Sequence, residues 1–226
     1  MPAQPRYDFY GPIHKGLRLG LSHLLLRLGS QDFADPAGTA DLLADLRAQL
    51  TLSAAHLEHE ESQLHKALEA RLPGAARTLE DQHRGHQTRF AQLARLMAAL
   101  ETAPVAERPA HGHGLYLAFS AFVAEDFHHM HEEETVTGPV LRHLFNDEEL
   151  QAIEMTIIAS LTPEENIAYM RLMLPAMTPA ERAGLLAGMK AGAPAEAFTA
   201  VIELAAKPTL KARDFDRLAG ELGIAA

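Results

Sequence analysis

The sequence predicts an all-α protein: an antiparallel four-helix bundle over residues 1–145, followed by a C-terminal annex of short helices over 146–226. Three observations predict it. Apolar residues return at helical period through four stretches of about 20 to 30 residues, joined by modest loops, which is the pattern of a bundle. Beyond Asn146 the pattern breaks into shorter segments that open on helix-capping residues. One short motif also occurs twice, 73 positions apart, and divides the first part into two hairpins built on one plan.

Taken in order, the first helix is expected from about Tyr10 to Leu28, where Leu17, Leu21, Leu24, Leu25 and Leu28 make one apolar face. SQDFADPAG is a loop by its turn residues. The second helix runs from about Thr39 to Ala70 through Leu42, Leu46, Leu50, Leu57 and Leu64, and the breaker Leu72-Pro73-Gly74 ends it. The third runs from about Ala76 to Leu100 through Leu79, Phe90, Leu93 and Leu96. ETAPVAERPAHGHG is expected to be a loop as far as Gly114, with the fourth helix over Leu115 to Leu144. In the annex, Asn146 with Glu149, Thr162 with Glu165 and Thr178 with Glu181 have capping-box spacing, and the two threonine starts carry proline at the first helical position. Two further helices are expected near Pro194 to Ala206 and Lys211 to Leu222. Met170, Met173, Leu174, Met177 and Met189 read as core. Gly184, Gly188 and Gly192 would allow close helix approach, within the chain or between two copies.

Composition removes several classes of function. A formal charge of -10 argues against a nucleic-acid face, which needs a basic stripe. With no cysteine, disulfides, thiolate zinc sites and iron–sulfur ligation are excluded. The start of the chain lacks the basic and apolar run of a signal peptide, and no apolar stretch reaches membrane-spanning length, so a cytoplasmic protein without membrane contact is expected. No Gly-rich phosphate loop followed by Lys-Ser/Thr supports nucleotide hydrolysis. Thirteen histidines are a high count, and the annex holds none of them.

The repeated motif carries the chemistry. HLEHEESQLHKAL starts at His56 and HMHEEETVTGPVL at His129, and the shift places His56 on His129, Glu60 on Glu133, Glu61 on Glu134 and Leu68 on Leu141. Histidine four residues before glutamate puts both side chains on one helix face, a turn apart, where they can grip one metal ion. A lone histidine precedes each copy, His14 on the first helix and His83 on the third, each followed by apolar or aromatic residues at +7 and +10. Folded about a pseudo-twofold axis, the two hairpins would aim His14, His56, Glu60, His83, His129 and Glu133 at one point. Nitrogen and oxygen donors without sulfur suit iron, manganese or zinc, and two glutamates able to bridge favour a dinuclear site with metals about 3.5 to 4 Å apart. His86, one turn from His83, is either a fifth nitrogen ligand or a partner that orients the first. Glu61 and Glu134 are expected beside the site. His59, His128 and His131 are expected on a solvated face, His111 and His113 in a loop, and His23, His65 and His143 without a partner at metal spacing.

This order of residues resembles the hemerythrin-like family, the HHE cation-binding proteins. The resemblance rests on lone His, His-x3-Glu-Glu, lone His, His-x3-Glu-Glu and the step Gly138-Pro139, and covers about residues 8 to 144. It implies a four-helix bundle holding two iron ions, bridged by carboxylates and an oxo or hydroxo group, that binds dioxygen, nitric oxide or peroxide. The annex, with LTPEE and LPAMTPAER, is similar to the C-terminal extension of some bacterial members. Oxygen carriers of the family have His-x3-His on the third helix and His-x4-Asp on the fourth, whereas this chain has Gln87 four past His83 and closes with His-x3-Glu. The difference leaves a coordination position open or water-filled unless His86 fills it, and favours sensing, iron handling or oxidative turnover by the di-iron centre over reversible oxygen carriage. Ferritin-like di-iron enzymes place Glu before His at a spacing of three, the reverse of the order here. A di-iron oxidative enzyme, or a helical interaction module with a structural metal site, are the alternatives. No catalytic motif stands apart from the metal site, and a homodimer or a protein partner through the C-terminal helices stays open.

Overall fold

Capping residues and proline set where these helices start. Asp35 caps the second, its carboxylate accepting from the backbone N–H of Ala37 and of Gly38, both at 3.1 Å, with Pro36 as the first helical residue. In the computed structural model, which describes residues 6–225, no strand occurs among the described residues. The helices are α1 (Gly11–Ser30), α2 (Pro36–His59, continuing through Glu60–His65 and Lys66–Arg71), α3 (Arg77–Thr102) and α4 (Arg108–Glu132, continuing through Glu133–Thr137 and Gly138–Leu144). Five shorter ones follow: α5 (Asp147–Ser160), α6 (Pro163–Ala176), α7 (Pro179–Gly192), α8 (Ala195–Val201, continuing through Ile202–Ala206 and Lys207–Thr209) and α9 (Ala212–Leu222). No helix of the described residues is long and apolar enough to cross a membrane.

The contacts divide the chain into two compact units. The first comprises Met1–Tyr7 and Gly20–Thr156, the second Asp8–Leu19 and Ile157–Ala226. The first unit has a core drawn from four helices: Leu21, Leu24 and Leu28 of α1, Leu42, Leu43, Leu46 and Leu50 of α2, Leu93, Met97 and Leu100 of α3, and Leu115, Phe119, Phe122 and Val123 of α4. Leu21, Leu24, Leu28, Leu42, Leu46, Leu50 and Leu93 are residues that the helical period selects, so there the apolar stripe and the buried face coincide, while Leu25, Phe90 and Leu96 are only partly buried against the core. α2 turns into α3 at Leu72–Ala76, where Gly74 takes φ +88° and the Glu69 carboxylate accepts from Gly74 N (2.8 Å) and Ala76 N (2.7 Å). Only a residue without Cβ takes that φ at little cost.

The expected loop up to Gly114 is corrected. α4 begins at Arg108, with Pro109 in its first turn, where the missing N–H costs nothing. Gly112 lies inside the helix and is buried. A Cβ there would stand 2.2 Å from the Phe33 ring, so this glycine admits the ring rather than breaking the helix.

In the second unit Thr162 and Thr178 each form a reciprocal capping box, with Glu165 and Glu181. Its core joins Leu174, Leu186, Phe198, Val201, Ile202, Phe215 and Leu218, with Met170, Met173, Met177 and Met189 packed into it. The methionines are therefore core, as their spacing suggests. The buried Arg182 guanidinium donates to the carbonyls of Leu174 (2.8 Å) and Met177 (3.1 Å), satisfying groups left over at the end of α6. Gly184, Gly188 and Gly192 are exposed, and a Cβ at any of them would meet nothing within 4 Å. They mediate no close approach inside the chain.

Three helices contain a π turn, with one residue more than an α turn. In α4 the Gly138 N–H reaches back five residues to the Glu133 carbonyl, and in α8 the Lys207 N–H does the same to Ile202. In both, proline stands two residues past the end of the π turn, at Pro139 and Pro208. A proline ring clashes with the carbonyl four residues back, and widening the helix by a residue relieves the clash.

Candidate metal centre

The two His-x3-Glu pairs fold as their spacing dictates. On α2 His56 Nε2 lies 3.2 Å from Glu60 Oε1, and on α4 His129 Nε2 lies 3.3 Å from Glu133 Oε2. α3 delivers His83 between them, its Nε2 3.6 Å from Glu60 Oε2 and 3.2 Å from His129 Nε2. Glu60, His83, His129 and Glu133 are all buried and offer ligand atoms that lie within 4.8 Å of one another. Donor atoms around one ion at roughly 2.0–2.3 Å stand up to about 4.5 Å apart, so this group could hold a metal ion with little adjustment. Glu60 also turns one oxygen to His56 and the other to His83.

Hydrogen bonds on the far side of each ring fix what the near side presents. His83 Nδ1 lies 3.0 Å from the Glu61 carboxylate, and His129 Nδ1 lies 2.7 Å from Gln82 Oε1. Both partners accept, so each Nδ1 carries the proton and each Nε2 a lone pair. The Gln82 amide is itself oriented, since its nitrogen donates to Glu132 at 2.6 Å. In that tautomer the two Nε2 lone pairs face each other across 3.2 Å, a repulsion that a proton or a metal cation between them would relieve. Burial, aided by the nearby His86, pushes the His83 imidazole down to about 4, which keeps it neutral as a ligand must be. The Glu60 carboxyl is pushed well up by burial first, then by Asp126 and Glu61. A hydrogen bond with Glu133 works against that rise.

His14 is wholly buried on α1, stacked on Tyr10 with ring centroids 5.1 Å apart, and its segment belongs to the second unit. His56 keeps its place beside Glu60. His86 is buried, edge-on to His129 at 5.0 Å, with its Nδ1 3.7 Å from Asp126 Oδ1. Glu61 stands beside the site as expected. His128 and His131 are exposed and His59 half-buried; His113 is exposed and His111 half-buried, both on α4 rather than in a loop. His23 and His143 are exposed.

His65 joins neither group of ligand atoms, but it is buried against one of the imidazoles. It is 2% exposed, its ring is stacked on His83 with centroids 5.0 Å apart, and burial together with His83 pushes it down to about 4. The signal was present four residues back at Glu61, a helical spacing that a reading centred on His56 and Glu60 passes over. Gln82 and Asp126 also escape the motif. Asp126 could have been found from its place three before His129 on the same face of α4. Gln82 has no local signal, because its role depends on how α3 is set against α4. Against family models, curated proteins and solved structures, the chain finds no match.

Proposed function

We propose that the chain is a non-haem di-iron protein of the hemerythrin-like kind. In this reading α1 to α4 form an antiparallel four-helix bundle, and His14, His56, Glu60, His83, His129 and Glu133 hold two iron ions. The centre engages dioxygen, nitric oxide or peroxide in sensing, stress response or iron handling. The observation that carries the reading is the pair of opposed Nε2 lone pairs of His83 and His129, flanked by Glu60 and Glu133 and fixed from behind by Glu61 and Gln82. Glu60 supports two ions rather than one, because its oxygens face different imidazoles. His14 enters as the sixth ligand by its position in the repeat. Bound iron would supply ligand-binding and redox chemistry. The chain's part is to hold neutral imidazoles in one tautomer and to set two carboxylates against the metal charge.

Metal content of protein purified without chelator tests this, with His56→Ala and Glu133→Ala alongside. About two irons per chain, lost in both variants, is the expected outcome. Zinc or a single ion would replace the reading by a structural site, and no metal after reconstitution would end it.

A further inference from the structure

A cleft of about 450 Å³ opens to solvent between α3 and α4 and runs inward to the imidazoles of His86 and His129. Gly85 forms part of one wall and Ala124 part of the other, both exposed, and Gln82, Glu125 and His128 also line it. Small residues keep this side of the centre open where longer side chains would close it. A Cβ at Gly85 would meet nothing within 4 Å, so no neighbour requires a glycine there. Glycine in a helix interior is otherwise disfavoured, and the space above it is the feature it supplies. The buried His86 ring lines the cleft beside His129. No hydrogen bond holds His86 Nδ1, and Asp126 at 3.7 Å is beyond hydrogen-bonding reach. The His86 ring rests edge-on against His129 and Phe122, at 5.0 and 5.8 Å, contacts that a rotation does not break irreversibly.

We propose that this cleft is the port by which small uncharged solutes, dissolved gases first, reach the imidazole–carboxylate centre, with the His86 ring as its inner door. The lining suits such solutes. It is mostly hydrocarbon, and the Glu125 carboxylate that also lines it is tied to Arg89 at 2.5 and 2.9 Å. The inference takes its purpose from the di-iron reading, but its test does not depend on metal.

Dissolved dioxygen under pressure is paramagnetic and speeds relaxation of the protons it reaches. It is measured by NMR on the full chain in diamagnetic form, metal-stripped or zinc-loaded. The protons followed are those of the Ala124 methyl and of the His86 and His129 rings. Gly85→Leu fills the cleft with a good helix former and is expected to cut the effect on the two rings several-fold. Gly184→Leu, at an exposed helical glycine of the second unit, is expected to leave it unchanged. Ala124→Leu plugs the opposite wall and gives an independent check should Gly85→Leu fold poorly. His86→Ala is expected to increase the effect on His129. Equal relaxation of the His129 ring in wild type, Gly85→Leu and Ala124→Leu would overturn the port. Loss of iron binding alone would overturn only the reading of the centre.

Discussion

The two copies of the motif meet the same widening of the helix for different reasons. On α4 the π turn Glu133–Thr137 precedes Pro139, and the proline accounts for it, as Pro208 does on α8. On α2 the π turn Glu60–His65 has no proline two residues after it, where Ala67 stands. It starts at the aligned glutamate all the same, and it buries both Glu60 and His65. Position 65 aligns with Gly138 in the other copy, so the copies differ in what lies behind the glutamate: an imidazole stacked on His83 in one, a bare backbone in the other. A distortion with a local cause in one copy and none in the other, yet at the same place, belongs to the site. π turns concentrate at functional sites in general.

The largest effect that would break this comparison is at Glu60. Glu60→Gln keeps the shape and removes the charge. It is expected to abolish metal retention, while the metal-free chain at pH 8 gains on the order of 1–3 kcal/mol by no longer burying an acid whose pKa burial raises. Urea melts with and without metal measure both, and a metal-free chain weakened by the change would show that Glu60 is stabilised by partners other than an ion.

A smaller effect is expected at the outer partners. Glu61→Ala and Gln82→Ala each remove the acceptor behind one facing imidazole and should weaken metal binding about 10–100-fold in chelator competition. Glu61 should give the greater loss, because a carboxylate bonds an imidazole more strongly than an amide does. The reverse order would put the stronger support on the second copy.

The smallest effect is the pH response of the metal-free chain. Burial pushes His65 and His83 down to about 4 when folded, from an ordinary imidazole value of 6.5. The unfolded chain therefore takes up protons that the folded chain refuses, and stability falls as pH drops from about 6.5 to about 4. Glu60, raised by burial, acts oppositely and costs stability as pH rises above its unfolded value of 4.5. Two imidazoles outweigh one carboxyl below about 6.5, so the maximum is expected near that pH. His65→Leu should make the acid limb shallower by one proton. A limb of unchanged slope would mean that His65 is protonated when folded.

Periodicity made the helices legible because each buries a stripe: Leu21, Leu42, Leu93 and Leu115 all end in one core. Thr162 and Thr178 were legible because a capping box is made within four residues. Gly112 was not, since its reason, the Phe33 ring, arrives from 79 positions away in the chain. The site divides in the same way. The pairs His56–Glu60 and His129–Glu133 are contained in one turn of helix and could be read directly. Gln82 behind His129 arises between helices, so no local spacing announces it, and the spacing of His65 from Glu61 marks its helix face but not the His83 ring it stacks on. The π turn on α2 is likewise silent, because HLEHEESQLH reads as ordinary helix.

The amide of Gln82 sets its oxygen against His129 and its nitrogen against Glu132, while the corresponding place behind His83 is taken by a carboxylate. A carboxylate pulls harder on the ring proton than an amide oxygen does, and so leaves the His83 Nε2 the richer donor. A duplicated motif thus yields a centre with unlike electronic poles. An incoming ligand would meet that polarity as a preferred end, set by whether one side chain terminates in nitrogen or oxygen.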